Sequence, residues 1–272
     1  AGLFSGAFEV QQIPPRINFM DEPLWLRDYF SGKGVVVLDG YQFDSEYQKR
    51  IKEVYKFSLV AVDDLNKGHF YADLIINHSD EFKASDYSTG EATKILLGPD
   101  FAILRKPFLE FAKRGKGSAS GRTGCFIAFG GADNECLTEK AIATGIEMGF
   151  GTINVILPSR LQTSEIENTT SGSSIKCFRN ISAHQVLELM SNSLIGICSS
   201  STLAYEACCA RLPLITGYYV ENQKGINSTL EQENCCISLG DFRQAKLEDI
   251  KNGVKSADLE VIRNNQARVF HG

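Results

Sequence analysis

No Cys-x-x-Cys pair occurs in the chain, and all eight cysteines fall in its second half, at positions 125, 136, 177, 198, 208, 209, 235 and 236. Without such pairs there is no zinc-ribbon spacing and no thioredoxin-type redox centre. Cys125 and Cys198 sit inside apolar patterns, so reduced, mostly buried thiols are expected, with disulfides or a metal site as the competing reading. A basic surplus is also lacking. The 28 Lys and Arg against 33 Asp and Glu give a net charge of -5. That excludes a nucleic-acid duplex or an anionic membrane as the main partner. A small anion remains possible, since helix ends and backbone amides bind without net charge. No apolar run approaches the ~20 residues of a membrane-spanning helix. The N-terminus lacks the basic-then-apolar pattern of a signal peptide, so a cytoplasmic location is expected. Histidine is scarce as well, only four in 272 residues, which leaves His69, His78, His184 and His271 to consider as a general base.

What is present is an ordinary globular balance, 43% hydrophobic and 22% charged, in a chain long enough for two cores. A short amphipathic helix is expected from Glu22 to Phe30. Val35-Val36-Val37-Leu38-Asp39 then opens a series of short apolar runs alternating with helices: strand 58–62, strand 74–77, and the runs 95–98 and 102–105 before a helix ending near Lys113. This alternation predicts an α/β fold with a parallel sheet and ligand groups at the carboxyl ends of the strands. Asp39, Tyr41, Asp63, Asp64 and Asn77 fall at such ends. Residues 114–122, rich in Gly and Ser, read as a linker between domains 1–113 and 123–272. As a phosphate loop this stretch lacks the G-x-x-x-x-G-K-[ST] order.

The second half alternates more cleanly. Strands are expected at 125–129, 153–157, 175–178, 195–198 and 214–216, with helices at 135–148, 163–168, 182–190, after Ser201, at 221–232 and in two C-terminal segments. This is the pattern of a doubly wound domain. Its most pointed stretch is Ile195-Gly196-Ile197-Cys198-Ser199-Ser200-Ser201-Thr202, a strand end followed by four hydroxyl residues and a helix start. Capping needs only one hydroxyl. Four at a helix N-terminus, where free N–H groups and the positive dipole end collect, point to an anion such as a phosphate. Glu206 lies one turn further on the face of Thr202. A carboxylate there repels a phosphate, so it is either a solvated first-turn acid or a ribose contact. Gly130-Gly131-Ala132-Asp133 marks a sharp turn or a close approach to a ligand, and Asn222-Gln223 supplies donors and acceptors at another helix start.

These features, with Leu212-Pro213, resemble in order and spacing the nucleotide-binding domain of GT-B glycosyltransferase-like proteins. In the first half, Leu38-Asp39-Gly40-Tyr41, Val62-Asp63-Asp64, Ala72-Asp73-Leu74-Ile75-Ile76-Asn77, Leu97-Gly98-Pro99 and Ile103-Leu104-Arg105 narrow the resemblance to the UDP-sugar hydrolase family of pseudaminic acid biosynthesis. The resemblance implies two Rossmann-like domains facing across a cleft. It also implies metal-free and cofactor-free release of UDP from a modified amino sugar for surface-glycan synthesis. UDP is expected near Gly130, Gly131, Asp133, Ser200, Ser201 and Thr202, with its ribose at Glu206 and its phosphate or sugar at Asn222 and Gln223. Tyr41 is expected at the sugar. The family's opening strand, Gly-rich loop and basic histidine have no match here, which implies an incomplete N-terminal domain or a non-hydrolysing relative. His78, which follows a strand end, is the conceivable substitute base, whereas His69, His184 and His271 have no motif around them. A GT-B glycosyltransferase with a UDP-sugar donor and a non-catalytic nucleotide-sugar-binding protein are the other readings.

Overall fold

The computed structural model describes residues 10–27, 34–115, 121–130, 136–157 and 172–271. The chain forms two compact units, one comprising residues 1–76 and 84–96, the other 77–83 and 97–272. This division differs from the expected break at residues 114–122. The helix expected to close the first domain carries Phe108 and Ala112, both buried, into the hydrophobic core of the second. Composition marks a polar surface stretch, whereas burial decides where a unit ends.

The first unit is built on β1 (Val35–Asp39), β2 (Ser58–Val62), β4 (Leu74–Asn77) and β6 (Lys94–Leu97), arranged in the order β1-β2-β4-β6. Adjacent strands among the first three run parallel, with Val37 opposite Val60 and Ala61 opposite Ile75. Helix α1 (Glu22–Leu26) and helix α2 (Ser45–Val54) flank them. Helix α2 starts where Asp44 accepts a hydrogen bond from the Tyr47 amide at 2.9 Å, satisfying an amide the helix cannot. A two-stranded addition pairs β3 (His69–Phe70) with β5 (Ser88–Thr89), placing His69 on a short strand.

The second unit holds a six-stranded sheet in the order β12-β11-β10-β7-β8-β9, with all five adjacent pairs parallel. Its strands are β7 (Cys125–Ala128), β8 (Thr152–Ile156), β9 (Ser174–Phe178), β10 (Ile195–Ser199), β11 (Leu214–Tyr218) and β12 (Ile237–Asp241). Counted within the unit, this is the 3-2-1-4-5-6 order of a doubly wound fold. The helices are α3 (Lys106–Lys113), α4 (Leu137–Glu147), α5 (Ala183–Asn192), α6 (Thr202–Cys209), α7 (Lys224–Gln232), α8 (Leu247–Ser256) and α9 (Leu259–Val269). Helix α5 opens with a reciprocal capping box between Ser182 and Gln185. The helix expected at 163–168 lies outside the described residues.

Sheet burial on both faces explains the continuous apolar runs. Along β7, Phe126 and Ala128 enter one core with Cys198, Tyr205 and Leu214, while Cys125, Ile127 and Phe129 enter the other with Ile153, Val155 and Ile197. The two-residue side-chain period splits one strand between two cores. Among the described residues no helix is long and apolar enough to cross a membrane.

All eight cysteines are free thiols, and only Cys136 is exposed. Burial pushes the Cys198 thiol up to about 12, and burial with neighbouring thiols raises Cys208 well above the ordinary range. In the native chain a thiol titrant should therefore label Cys136, and more slowly the half-buried Cys177, with the other six reacting only after unfolding. Mass spectrometry of labelled peptides reads this directly. Rapid native labelling of Cys208 or Cys236 would contradict the packing.

Candidate functional site

In the second sheet β7 and β10 are neighbours although 66 residues separate their ends, Ala128 and Cys198 standing opposite Thr216 of β11 in one row. From β7 the chain winds outward through β8 and β9, and from β10 it winds the other way through β11 and β12. In a doubly wound fold the ligand crevice lies at such a switch point, outside the carboxyl ends of the two strands. Gly130 follows β7 at that end, and Ser199 to Thr202 carry β10 into α6 there. Gly130 is exposed with φ of +80°, a left-handed conformation that side chains disfavour, and a Cβ there would meet nothing closer than the Tyr219 hydroxyl at 3.9 Å. Gly131 and Asp133 lie outside the described residues.

The four hydroxyl residues divide into two pairs. Ser199 and Ser200 are buried. The Ser200 amide donates to the Gly217 carbonyl at 2.9 Å, continuing the pairing of β10 with β11. Its hydroxyl lies 3.0 Å from Thr216 Oγ1 and donates to Asn227 Oδ1 at 2.9 Å, and Asn227 Nδ2 donates to Ser238 Oγ at 3.0 Å. The Ser200 side chain thus ties β10 to β11, α7 and β12. This corrects the expectation of Ser200 as a ligand-facing hydroxyl, because no part of it is exposed. Ser201 stands at the N-cap of α6 without a side-chain cap bond, and Thr202 is exposed. Ser201 is therefore not the capping hydroxyl the sequence suggests.

Glu206 is neither a solvated acid nor open to the crevice alone. It is 4% exposed, and Arg105 engages both of its carboxylate oxygens. Oε1 accepts from the Arg105 amide at 3.2 Å and from Nε at 2.7 Å, and Oε2 accepts from Nη2 at 2.5 Å. The guanidinium also lies 5.1 Å from the Phe108 ring centre, a cation–π contact that helps hold it flat. At the opposite end of α6, Arg211 Nη1 donates to the Cys208 carbonyl and Arg122 donates to the carbonyls of Ala210 and Arg211. Burial, then Arg263 and Arg211, lowers the Arg122 guanidinium to about 10, so it stays charged at neutral pH. Cations at this end oppose the negative end of the helix dipole.

After β11, Gln223 is buried and its Oε1 accepts from the Tyr219 amide at 3.1 Å, so it shapes the turn. Tyr219 in turn donates its hydroxyl to the Phe129 carbonyl at 2.7 Å, bracing the strand end before Gly130. Asn222 is half-buried in the short 3-10 turn Glu221–Gln223. Tyr41 belongs to the first unit, where its hydroxyl donates to Asp64 at 2.7 Å beside a cavity of about 190 Å³ lined also by Gln48, Asp63 and Lys67. Asp63 is committed to the Leu65 and Asn66 amides and the Tyr87 hydroxyl.

The histidines scatter. His69 Nδ1 lies 2.9 Å from Ser88 Oγ, His78 is buried with its carbonyl accepting from the Tyr205 hydroxyl at 2.8 Å, and His184 and His271 are exposed. Among the described residues no group of three or more His, Cys, Asp or Glu side chains is placed to hold a metal. Asn227 and Tyr219 are the site-shaping residues that sequence reasoning missed. Arg105 stood in the run Ile103-Leu104-Arg105, but nothing in the sequence ties it to Glu206.

No family model matches the chain. The uncharacterized protein MJ1062 of Methanocaldococcus jannaschii is 28% identical over 203 residues, covering 70% of this chain and 41% of that protein, so the chain spans less than half of that relative's length. The spinosyn rhamnosyltransferase SpnG complexed with thymidine diphosphate is similar in structure, with a TM-score of 0.62 at 14% identity over 92% of this chain and 72% of that one. MurG of Acinetobacter baumannii gives a TM-score of 0.58 at 12% identity over 92% and 70%. A protein from E. coli described as trehalose-6-phosphate and bound with UDP-2-fluoro glucose gives 0.58 at 9% over 92% and 72%. The fold is that of the GT-B glycosyltransferases. At these identities the likeness to the GT-B structures is one of fold, and none of the three is a hydrolase of pseudaminic acid biosynthesis.

Replacing Asn227 by leucine removes one partner each from the Ser200 and Ser238 hydroxyls, leaving them Thr216 and the Gly240 amide, and should cost about 1–3 kcal/mol in urea unfolding. A cost under about 0.5 kcal/mol would show that the network does not hold the β10 end.

Proposed function

We propose that the second unit binds the diphosphate and ribose of a nucleotide sugar, and that the chain serves glycosyl transfer from that donor to an acceptor. The observation that supports this reading is the switch point between β7 and β10, with Gly130 following the first strand and the accessible start of α6 the second, and Glu206 one turn along that helix. A diphosphate leaving group there meets helix-start amides and the positive dipole end, which stabilise negative charge as it develops on departure. The turn that bears Asn222 and Gln223 follows β11 on the α6 side, where we place the phosphate or sugar. Gly131 and Asp133, outside the described residues, we keep as proposed diphosphate contacts.

The similar structures include a glycosyltransferase holding thymidine diphosphate and a protein holding a UDP-sugar analogue, which supports a nucleotide-sugar ligand and favours transfer over hydrolysis. UDP is our choice of nucleotide from the motif resemblance, with a modified amino sugar of surface glycans as the sugar and Tyr41 as its contact in the first unit. Hydrolysis of such a UDP-sugar keeps only that resemblance in its favour. Eight free thiols fit a reducing, cytoplasmic setting.

Two measurements test the reading. Incubation with UDP-sugars should release UDP only when a sugar or lipid-linked acceptor is added, whereas UDP and free reducing sugar without an acceptor would establish hydrolysis, and UDP binding without release under either condition would leave a binding protein. Glu206→Ala should weaken UDP about 10- to 100-fold by calorimetry, the loss of a hydrogen bond to a charged group. Unchanged affinity would remove Glu206 from the ribose.

A further inference from the structure

A bare carboxylate one turn inside the helix whose start takes a diphosphate is an electrostatic contradiction. Glu206 and Thr202 share a helix face at a separation of about 6 Å, and through a partly desolvated medium like charges at that range repel strongly. The contradiction is resolved by a residue 101 positions earlier in the chain. Arg105 spends its amide, Nε and Nη2 on the two oxygens of Glu206. The guanidinium side chain remains 43% exposed while the carboxylate side chain is 6% exposed, so the pair presents its cation, not its anion, to solvent.

A carboxylate offers about four acceptor positions. Oε1 uses two on Arg105 and Oε2 uses one, which leaves about one position, on Oε2. We propose that Arg105 is the positioning residue that makes this helix start usable by a nucleoside diphosphate, cancelling the charge of Glu206 and leaving it one acceptor position for a ribose hydroxyl. The inference rests on the nucleotide-sugar reading above and adds the residue that reconciles its two halves. Arg105 also joins α3 to α6, because it stands at the N-cap of α3 and packs over Phe108. A purely structural tie and a charge-cancelling one differ in what their loss does to different ligands. Loss of a tie weakens uridine and UDP alike, whereas an uncovered carboxylate selectively rejects the ligand that carries phosphate.

The test is a double-mutant cycle on the whole chain, with UDP and uridine titrated by calorimetry into the parent, Arg105→Gln, Glu206→Gln and the double variant. Arg105→Gln should raise the UDP Kd about 30-fold and the uridine Kd no more than about fivefold. Adding Glu206→Gln should then recover most of the lost UDP affinity, to within about fivefold of Glu206→Gln alone. Should Arg105→Gln not fold by circular dichroism, Arg105→Lys replaces it. That variant keeps the charge without the two-pronged grip, and should weaken both ligands by similar factors while preserving the preference for UDP. Equal losses of UDP and uridine in Arg105→Gln, an additive cycle without rescue, or a Lys variant that loses the preference for UDP would each overturn the role of Arg105. A parent chain that binds uridine and UDP but gives one of those results leaves the nucleotide site standing. A parent that binds neither overturns the site itself, and this inference with it.

Discussion

The candidate site depends on where β10 stops. Ser200, directly after the last strand residue Ser199, keeps its amide paired to Gly217 and its hydroxyl sunk against Thr216 and Asn227. That burial fixes the end of the strand, so the next two residues, Ser201 and Thr202, emerge as the start of α6. A looser strand end would let the helix begin a residue earlier or later and turn its first amides elsewhere. Across the crevice the same role falls to the Tyr219 hydroxyl, which holds the Phe129 carbonyl and thereby the approach to Gly130. Both supports come from β11 or the turn after it, so one central strand sets the geometry of its neighbours' loops.

Charge is organised along α6 as well as at its start. Two guanidiniums, Arg122 and Arg211, face the carbonyls at its C-terminal end, and a third, Arg105, covers the carboxylate on its flank. Every one of these contacts joins α6 to a distant stretch or to the turn directly after it. The eight-residue helix is thus held at both ends and on one side while its first turn is left accessible, an arrangement suited to presenting amides to an anion. The net charge of -5 follows from composition alone and does not prevent a helix start from attracting an anion through its free amides.

Much of the second unit was legible in the sequence because its central strands β7, β10 and β11 are buried on both faces and read as short apolar runs, while β8 and β9 keep the alternation of partly covered strands. Five of the six strands and the chain reversal at Ser199 to Thr202 follow from that pattern. Strand β12 does not. Ile237-Ser238-Leu239-Gly240-Asp241 is half-buried at the sheet edge and carries only two large apolar residues, too weak a run to separate from the helices that follow. The unit boundary was misread for a different reason, since the Gly- and Ser-rich stretch after Lys113 marks polarity while Phe108 marks packing. At the candidate site, the run of hydroxyls marks the strand-to-helix turn but could not say that two of them face inward, since that depends on Asn227 and Thr216. Nor does any local pattern reveal that Arg105 meets Glu206, a contact set by the fold.

The central claim is that a nucleoside diphosphate sits at the carboxyl ends of β7 and β10. Amide chemical-shift mapping of the isotopically labelled chain titrated with UDP tests it most directly. The account predicts that the largest shifts fall on Gly130, Ser201, Thr202 and Leu203. Shifts confined to the amino ends of the same strands, at Gly124 and Leu194, or no shifts at saturating UDP, would contradict it.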